Sequence, residues 1–196
     1  MNASYPEQPN LQPYRRGSNW LSTGVYAPPG AVLTVTVPST VTLDGSLWAQ
    51  IGVHSESLLN KASWCRQPYQ MVKTVAFTSN RTVKIASNQG GPVIIGVKRL
   101  AVFGPIEVSI SGSVRMPFYF RGTHNNSYWQ TTGRNLQAPF AEFASDKFVL
   151  TVPASNVRAI SNAQALVDMY ESYLDVYTDL AVVRSEVVLR FPRLGP

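Results

Sequence analysis

The chain has 196 residues, 44% of them hydrophobic, with 17 Lys and Arg against 11 Asp and Glu for a formal net charge of +6. That length suits one large β domain burying roughly 70% of its unfolded surface, without two independent cores. Its longest apolar runs, such as Pro92 to Val97, are far shorter than the roughly 20 residues of a membrane span, so insertion into a membrane is not expected. The basic residues are scattered as Arg15 and Arg16, Lys98 and Arg99, and Arg184, Arg190 and Arg193. A nucleic-acid binder gathers them on one element with aromatics between, so a solvated basic surface is the reading and nucleic acid is not an expected partner.

Residues 1–19 are rich in Pro, Asn, Gln and Ser without any period, which predicts an extended or disordered lead-in. Within it, MNASYPEQPNLQPYRRG has no apolar h-region or cleavage site and does not read as a signal peptide. Order is expected from Trp20. Pro28, Pro29 and Gly30 have turn chemistry, and Leu33, Val35 and Val37 then alternate with Val32, Thr34 and Thr36, as in a strand with one face to a core. Ser39 to Ser46 and Leu47 to His54 read as two strands meeting at the Asp44-Gly45 turn.

Ser55 to Pro68 is irregular and reads as a loop carrying a short helical turn, with Trp64 tucked against the sandwich. Tyr69 to Phe77 and Arg81 to Ser87 alternate and read as a hairpin joined by Thr78-Ser79-Asn80. Val93 to Val97, after the Gly90-Gly91-Pro92 breaker, is apolar throughout, which predicts a central strand buried on both faces. Ile106, Val108 and Ile110 mark one face of another strand, Val114 to Phe120 follows with Phe118, Tyr119 and Phe120, and Arg121 to Ser127 reads as a polar loop. Lys147 to Val152 ends the strand series, with no helical period before it.

A helical period begins at Ser161. Ser161 and Gln164 have capping-box spacing, Leu166, Tyr170, Leu174 or Tyr173, Tyr177 and Ala181 form an apolar stripe, and Asp168, Glu171, Asp175 and Asp179 form an acidic one. This predicts an amphipathic helix over about 162–181, its acidic face either solvated or docked on a following domain. The chain stops at FPRLGP without an evident cap, as a cut chain would. The expected fold class is therefore mainly β, an antiparallel, jelly-roll-like β-sandwich over 20–160 with a C-terminal amphipathic helix in 161–196.

Chemical motifs are sparse. Cys65 is the only cysteine, so neither an internal disulfide nor a Cys-based zinc site is expected. A zinc hydrolase shows HExxH, because histidines four apart on one helix face give two ligands and the Glu gives the base; neither His54 nor His124 is followed by Glu. GxSxG, GxxxxGK[ST] and GxGxxG are absent as well. The carboxylates Asp44, Glu56, Glu107 and Glu142 are read as surface charges rather than a glycosidase pair. Tyr119, Arg121, His124, Tyr128 and Trp129 bring together rings that stack on sugar faces and polar groups that bond hydroxyls. Tyr119, Arg121, His124 and Trp129 are thus the candidate ligand-binding residues, weighed against a favoured reading in which Tyr119 and Trp129 cap the core.

Several pieces carry a family resemblance. They are Thr-Gly-Val-Tyr-Ala-Pro-Pro-Gly at Thr23 to Gly30, Val37-Pro38, Gln-Ile-Gly-Val-His at Gln50 to His54, and Gly90-Gly91 before an apolar strand. Met116-Pro117-Phe118 with Gly122-Thr123, and Ala138 to Glu142 before Val152-Pro153, complete the set. In order and spacing the chain resembles the N-terminal half of the M60-like, enhancin-type metallopeptidase domain, as also found in TRPM channel-associated factors. The resemblance implies a parent zinc metallopeptidase acting on mucin-type glycoproteins, with HExxH beyond the matched region. It implies no cofactor in this chain, zinc only in the missing catalytic half, and no catalytic residue here. His54 matches a family position as a structural, strand-end histidine. The implied partners are a glycoprotein or glycan and the C-terminal catalytic portion of the parent; the alternative is a stand-alone carbohydrate-binding or channel-regulating module. A secreted or cell-surface setting is the expectation.

Overall fold

The computed structural model describes residues 2–4, 19–54, 62–63, 71–98 and 101–189. Trp64, Cys65, Glu56 and the basic residues Arg15, Arg16, Arg99, Arg190 and Arg193 lie outside them. The strands run in chain order as β1 (Asn2–Ser4), β2 (Asn19–Ala27), β3 (Val32–Thr36), β4 (Leu47–Ile51), β5 (Lys73–Ala76) and β6 (Thr82–Ala86). They continue as β7 (Gly91–Val97), β8 (Glu107–Ser111), β9 (Val114–Arg115), β10 (Phe118–Phe120), β11 (Phe140–Ala144) and β12 (Val149–Pro153). Two α-helices, α1 (Asn126–Thr131) and α2 (Ala163–Leu189), and two 3-10 turns, Gly133–Asn135 and Ala154–Asn156, complete the described elements.

Two antiparallel sheets make the sandwich, one of four strands in the order β1-β8-β3-β6 and one of five in the order β5-β4-β7-β2-β9. The alternation in β3 does what its spacing implies: Leu33 and Val35 are fully buried, while Thr34 and Thr36 are half-exposed. They meet Val108 and Ile110 of β8, and Leu47, Ile51, Phe77, Val93 and Ile95 from the opposite sheet, in one core. Each such side chain contributes about 1.5–3 kcal/mol on burial. The turn into β3 forms as its sequence dictates, with Ala31 N–H donating to Pro28 O at 3.0 Å across Gly30 at φ +76°. That is a type II turn, whose third residue needs a positive φ. β7 lies between β4 and β2 at the centre of its sheet, buried along nearly its whole length, as its unbroken apolar run predicts.

Several expectations are corrected. Ser39 to Ser46 forms turns and bends rather than a strand; Asp44 Oδ1 accepts from Ser46 N–H at 2.8 Å, which folds the Asp-Gly turn locally. Thr78-Ser79-Asn80 does not close a hairpin, because β5 pairs with β4 and β6 with β3 in the other sheet. The segment instead carries the chain across the sandwich, with the buried Phe77 leading it. Polar loop residues after Arg121 give way to the short helix α1, and the stretch before Lys147 contains the unforeseen strand β11.

β10, β11 and β12 form a third sheet that is not part of the sandwich. Its β10–β11 pair is parallel and its β11–β12 pair antiparallel. α2 covers one face, enclosing Tyr119, Trp129, Phe143, Val157, Ala163 and Val167 in a second core. Beside the sandwich core and this second one, a small third cluster gathers Tyr26, Met116 and Ala138 with Phe140. The cap of α2 also differs: Asn162 Oδ1, not Ser161, accepts from Ala165 N–H at 2.9 Å, and Gln164 N–H donates to Asn126 Oδ1 at 3.1 Å.

Candidate functional site

α1 decides the fate of the aromatic loop. Asn125 Oδ1 accepts from Tyr128 N–H at 2.8 Å and caps the helix, which turns Trp129 inward and Tyr128 outward. Trp129 is fully buried, its Nε1–H donating to Ile160 O at 2.9 Å and its ring 4.8 Å from that of Phe143. Tyr119 is buried beside it and donates its hydroxyl to Gln164 Oε1 at 2.5 Å. Neither ring offers a face to a ligand; both cap the second core.

Arg121 and His124 lie at the edge of the same small sheet. Arg121 Nε–H donates to Asp168 Oδ1 at 2.8 Å and Nη1 lies 3.3 Å from Glu171 Oε2, so its guanidinium ties β10 to the acidic side of α2. Lys147 does the same for Asp175 at 2.5 Å. The hydrogen bond from Arg121 holds the Asp168 carboxyl below its usual value. His124 Nδ1 accepts from Phe120 N–H at 3.0 Å, and its ring stacks on Tyr128 with centroids 4.1 Å apart. Burial, then Arg115, push its pKa down, so the neutral ring carries its proton on Nε2. The four candidates therefore share one small sheet and its helix, two in the core and two at its edge.

A more concentrated site lies where that sheet meets the sandwich. Along β11, Ala141 and Phe143 enter the second core, so alternation turns Glu142 to the opposite face, toward β2. There the β2–β7 pairing shifts register between Ser22 and Tyr26, a bulge in which Gly24 adopts φ +68° and Thr23 Oγ1 donates to Val93 O at 2.6 Å. A Cβ on Gly24 would lie 2.9 Å from the Phe118 ring, so glycine lets β10 approach as closely as it does. Ser22 Oγ–H donates to Glu142 Oε2, and Thr151 Oγ1–H donates to Oε1 at 3.1 Å.

These groups line a cavity of about 280 Å³ walled by Trp20, Ser22, Val53, Ile94, Glu142, Val149 and Thr151. Trp20 and Val149, 38% and 44% exposed, stand at its rim, while Glu142 is 1% exposed. Burial outweighs the two hydroxyl hydrogen bonds and raises the Glu142 carboxyl to about 7. The site can hold or release a proton near neutrality and bind a complementary charge. Among the described residues that line it there is no histidine. The surface-charge reading of Glu142 is overturned; a lone carboxylate inside the apolar run Phe140 to Ala144 was the available signal, hidden because that run was not read as a strand. Among the described residues no three His, Cys, Asp or Glu side chains converge to hold a metal ion, so these residues do not fit the zinc that the family resemblance implies for the parent.

Comparison with known proteins agrees with this architecture. The model of the N-terminal domain of M60-like peptidases matches residues 7–111, and that of peptidase M60, enhancin and enhancin-like, matches residues 112–193. A TRPM8 channel-associated factor homolog from Xenopus laevis is 32% identical over 168 residues, which are 85% of this chain and 18% of that protein. Among solved structures, the M60 catalytic domain of Clostridium perfringens ZmpC, in complex with the sialyl T antigen, superposes with TM-score 0.62 at 12% identity, covering 82% of this chain and 35% of that one. IMPa from Pseudomonas aeruginosa, in complex with an O-glycopeptide, gives TM-score 0.60 at 16% identity, over 87% of this chain and 20% of that one. At those identities the structural likeness is one of fold, while the two family models together run through both the sandwich and the small sheet. The chain belongs to the M60-like, enhancin-type peptidase family.

Proposed function

We propose that this chain is the non-catalytic, β-rich part of an M60-like peptidase domain whose parent is a zinc metallopeptidase acting on mucin-type glycoproteins. The observation that carries this reading is a mismatch. The peptidase M60 match spans residues 112–193, yet the only histidine in that span, His124, accepts a backbone N–H through Nδ1 and heads no HExxH. Zinc chemistry would then come from residues outside this chain, and the role here is to scaffold them. The glycan-bound states of ZmpC and IMPa support a glycosylated substrate for the parent.

α2 supplies a surface for the catalytic portion. Its acidic side is occupied by Arg121 and Lys147 from its own sheet, but Met169, Tyr173, Val176 and Leu180 recur at four, three and four on another side and are exposed. Such a stripe fits the rest of a domain of which this chain spans about a third in the ZmpC structure. The test is the sequence encoded beyond Pro196: an HExxH with a downstream Glu is expected, and its absence would remove the peptidase assignment of the parent.

A second reading, a stand-alone interaction module, is favoured by the names of the relatives, which are channel-associated factors. Pull-down on mucin-type glycans separates the two. Binding lost in both Arg121→Ala and His124→Ala supports the module, and no binding by the unsubstituted chain removes it.

A further inference from the structure

The geometry points to the cavity between β2 and the small sheet as a binding site for an alkylammonium group, its nitrogen seated on Glu142 and its stem along Ile94, Val53 and Val149. This goes beyond the scaffolding role and does not depend on it. Among the described residues no cation pairs with this carboxyl at the base of an apolar-walled pocket: its two hydrogen bonds come from neutral hydroxyls, Ser22 and Thr151. A cation entering there restores the charge balance that burial removes, and a short hydrocarbon stem matches walls of Ile and Val. Trp20 at the rim, 38% exposed, adds a ring face to which an ammonium group is attracted on entry. At about 280 Å³ the space lies just below the range of small-molecule pockets and suits a four-carbon amine.

Other ligand classes fit less well. A divalent cation requires several oxygen ligands, and Glu142 is the only carboxylate among the described lining residues. A sugar needs several convergent polar partners, whereas the hydroxyl protons of Ser22 and Thr151 are already committed to Glu142. Free amines and lysine side chains share the chemistry that remains.

Heteronuclear NMR titration of the 196-residue chain with n-butylammonium tests it, with n-butanol as the neutral isostere and N-acetyl-lysine amide as the side-chain probe. The Ile94, Val53 and Val149 methyls and the Trp20 indole should shift saturably with n-butylammonium and at least about tenfold more weakly with n-butanol. N-acetyl-lysine amide binding at least as tightly assigns a lysine side chain as the natural occupant, and binding of n-butylammonium alone assigns a free amine. Glu142→Gln should abolish the response. Should that variant fail to fold, Val149→Trp at the 44% exposed rim fills the mouth without touching the carboxyl and should also abolish it. No saturable shift, equal shifts with n-butanol, or a response retained in either folded variant would overturn the site.

Discussion

Glu142 concentrates the molecule's chemistry at the scale of a single residue. Its carboxyl titrates near 7 against an ordinary 4.5, so the native chain holds a proton that the unfolded chain has already released between those values. Its contribution to stability is complete below about pH 4.5 and lost as pH rises through about 7, a loss of roughly 3 kcal/mol. Urea unfolding across that window should show stability falling with pH, and Glu142→Gln should flatten the fall by about that amount; a variant with an unchanged slope contradicts the assignment. The residue's place was illegible in sequence because it depends on the bulge that aims Ser22 at it from a strand far away along the chain.

Gly96 is a second single-residue determinant. It pairs across β7 with Trp48 on one side and Trp20 on the other, and a Cβ there would lie 2.0 Å from the Trp48 ring. Gly96→Ala should destabilise by about 1–3 kcal/mol, the range of an overpacked core, read as a lower urea midpoint at unchanged m-value.

Among the elements, the long alternating strands were legible and the short ones were not. β3, β7 and β8 each repeat their pattern often enough for the pleat to be read from residue types. α1, over Asn126–Thr131, is too short to show a helical period, and its cap, Asn125, is also a common loop residue. The link from Phe77 to Arg81 has hairpin composition, but β5 and β6 join opposite sheets, a choice set by tertiary packing. α1 nevertheless carries the central side chain of the second core. Trp129→Ala should cost about 3–5 kcal/mol through the void left against Phe143 and the lost bond to Ile160, measurable by thermal or urea denaturation. A loss below 1 kcal/mol would mean that the second core does not hold the small sheet in place.

For the whole molecule, a sandwich of two antiparallel sheets carries a small mixed sheet and its helix on one side, joined through Ser22 and Glu142. The sandwich and the family were legible because turn glycines, strand-end prolines and alternating strands recur in a fixed order. The separate core under α2 was not, since Met116-Pro117 looks continuous with the strands on either side while β9 and β10 belong to different sheets. The molecule is proposed to scaffold a peptidase without performing the cleavage. Incubating the purified 196-residue chain with a mucin-type O-glycoprotein and added zinc, with and without a chelator, tests it directly. The glycoprotein should remain intact in both arms; cleavage that the chelator abolishes would contradict the claim.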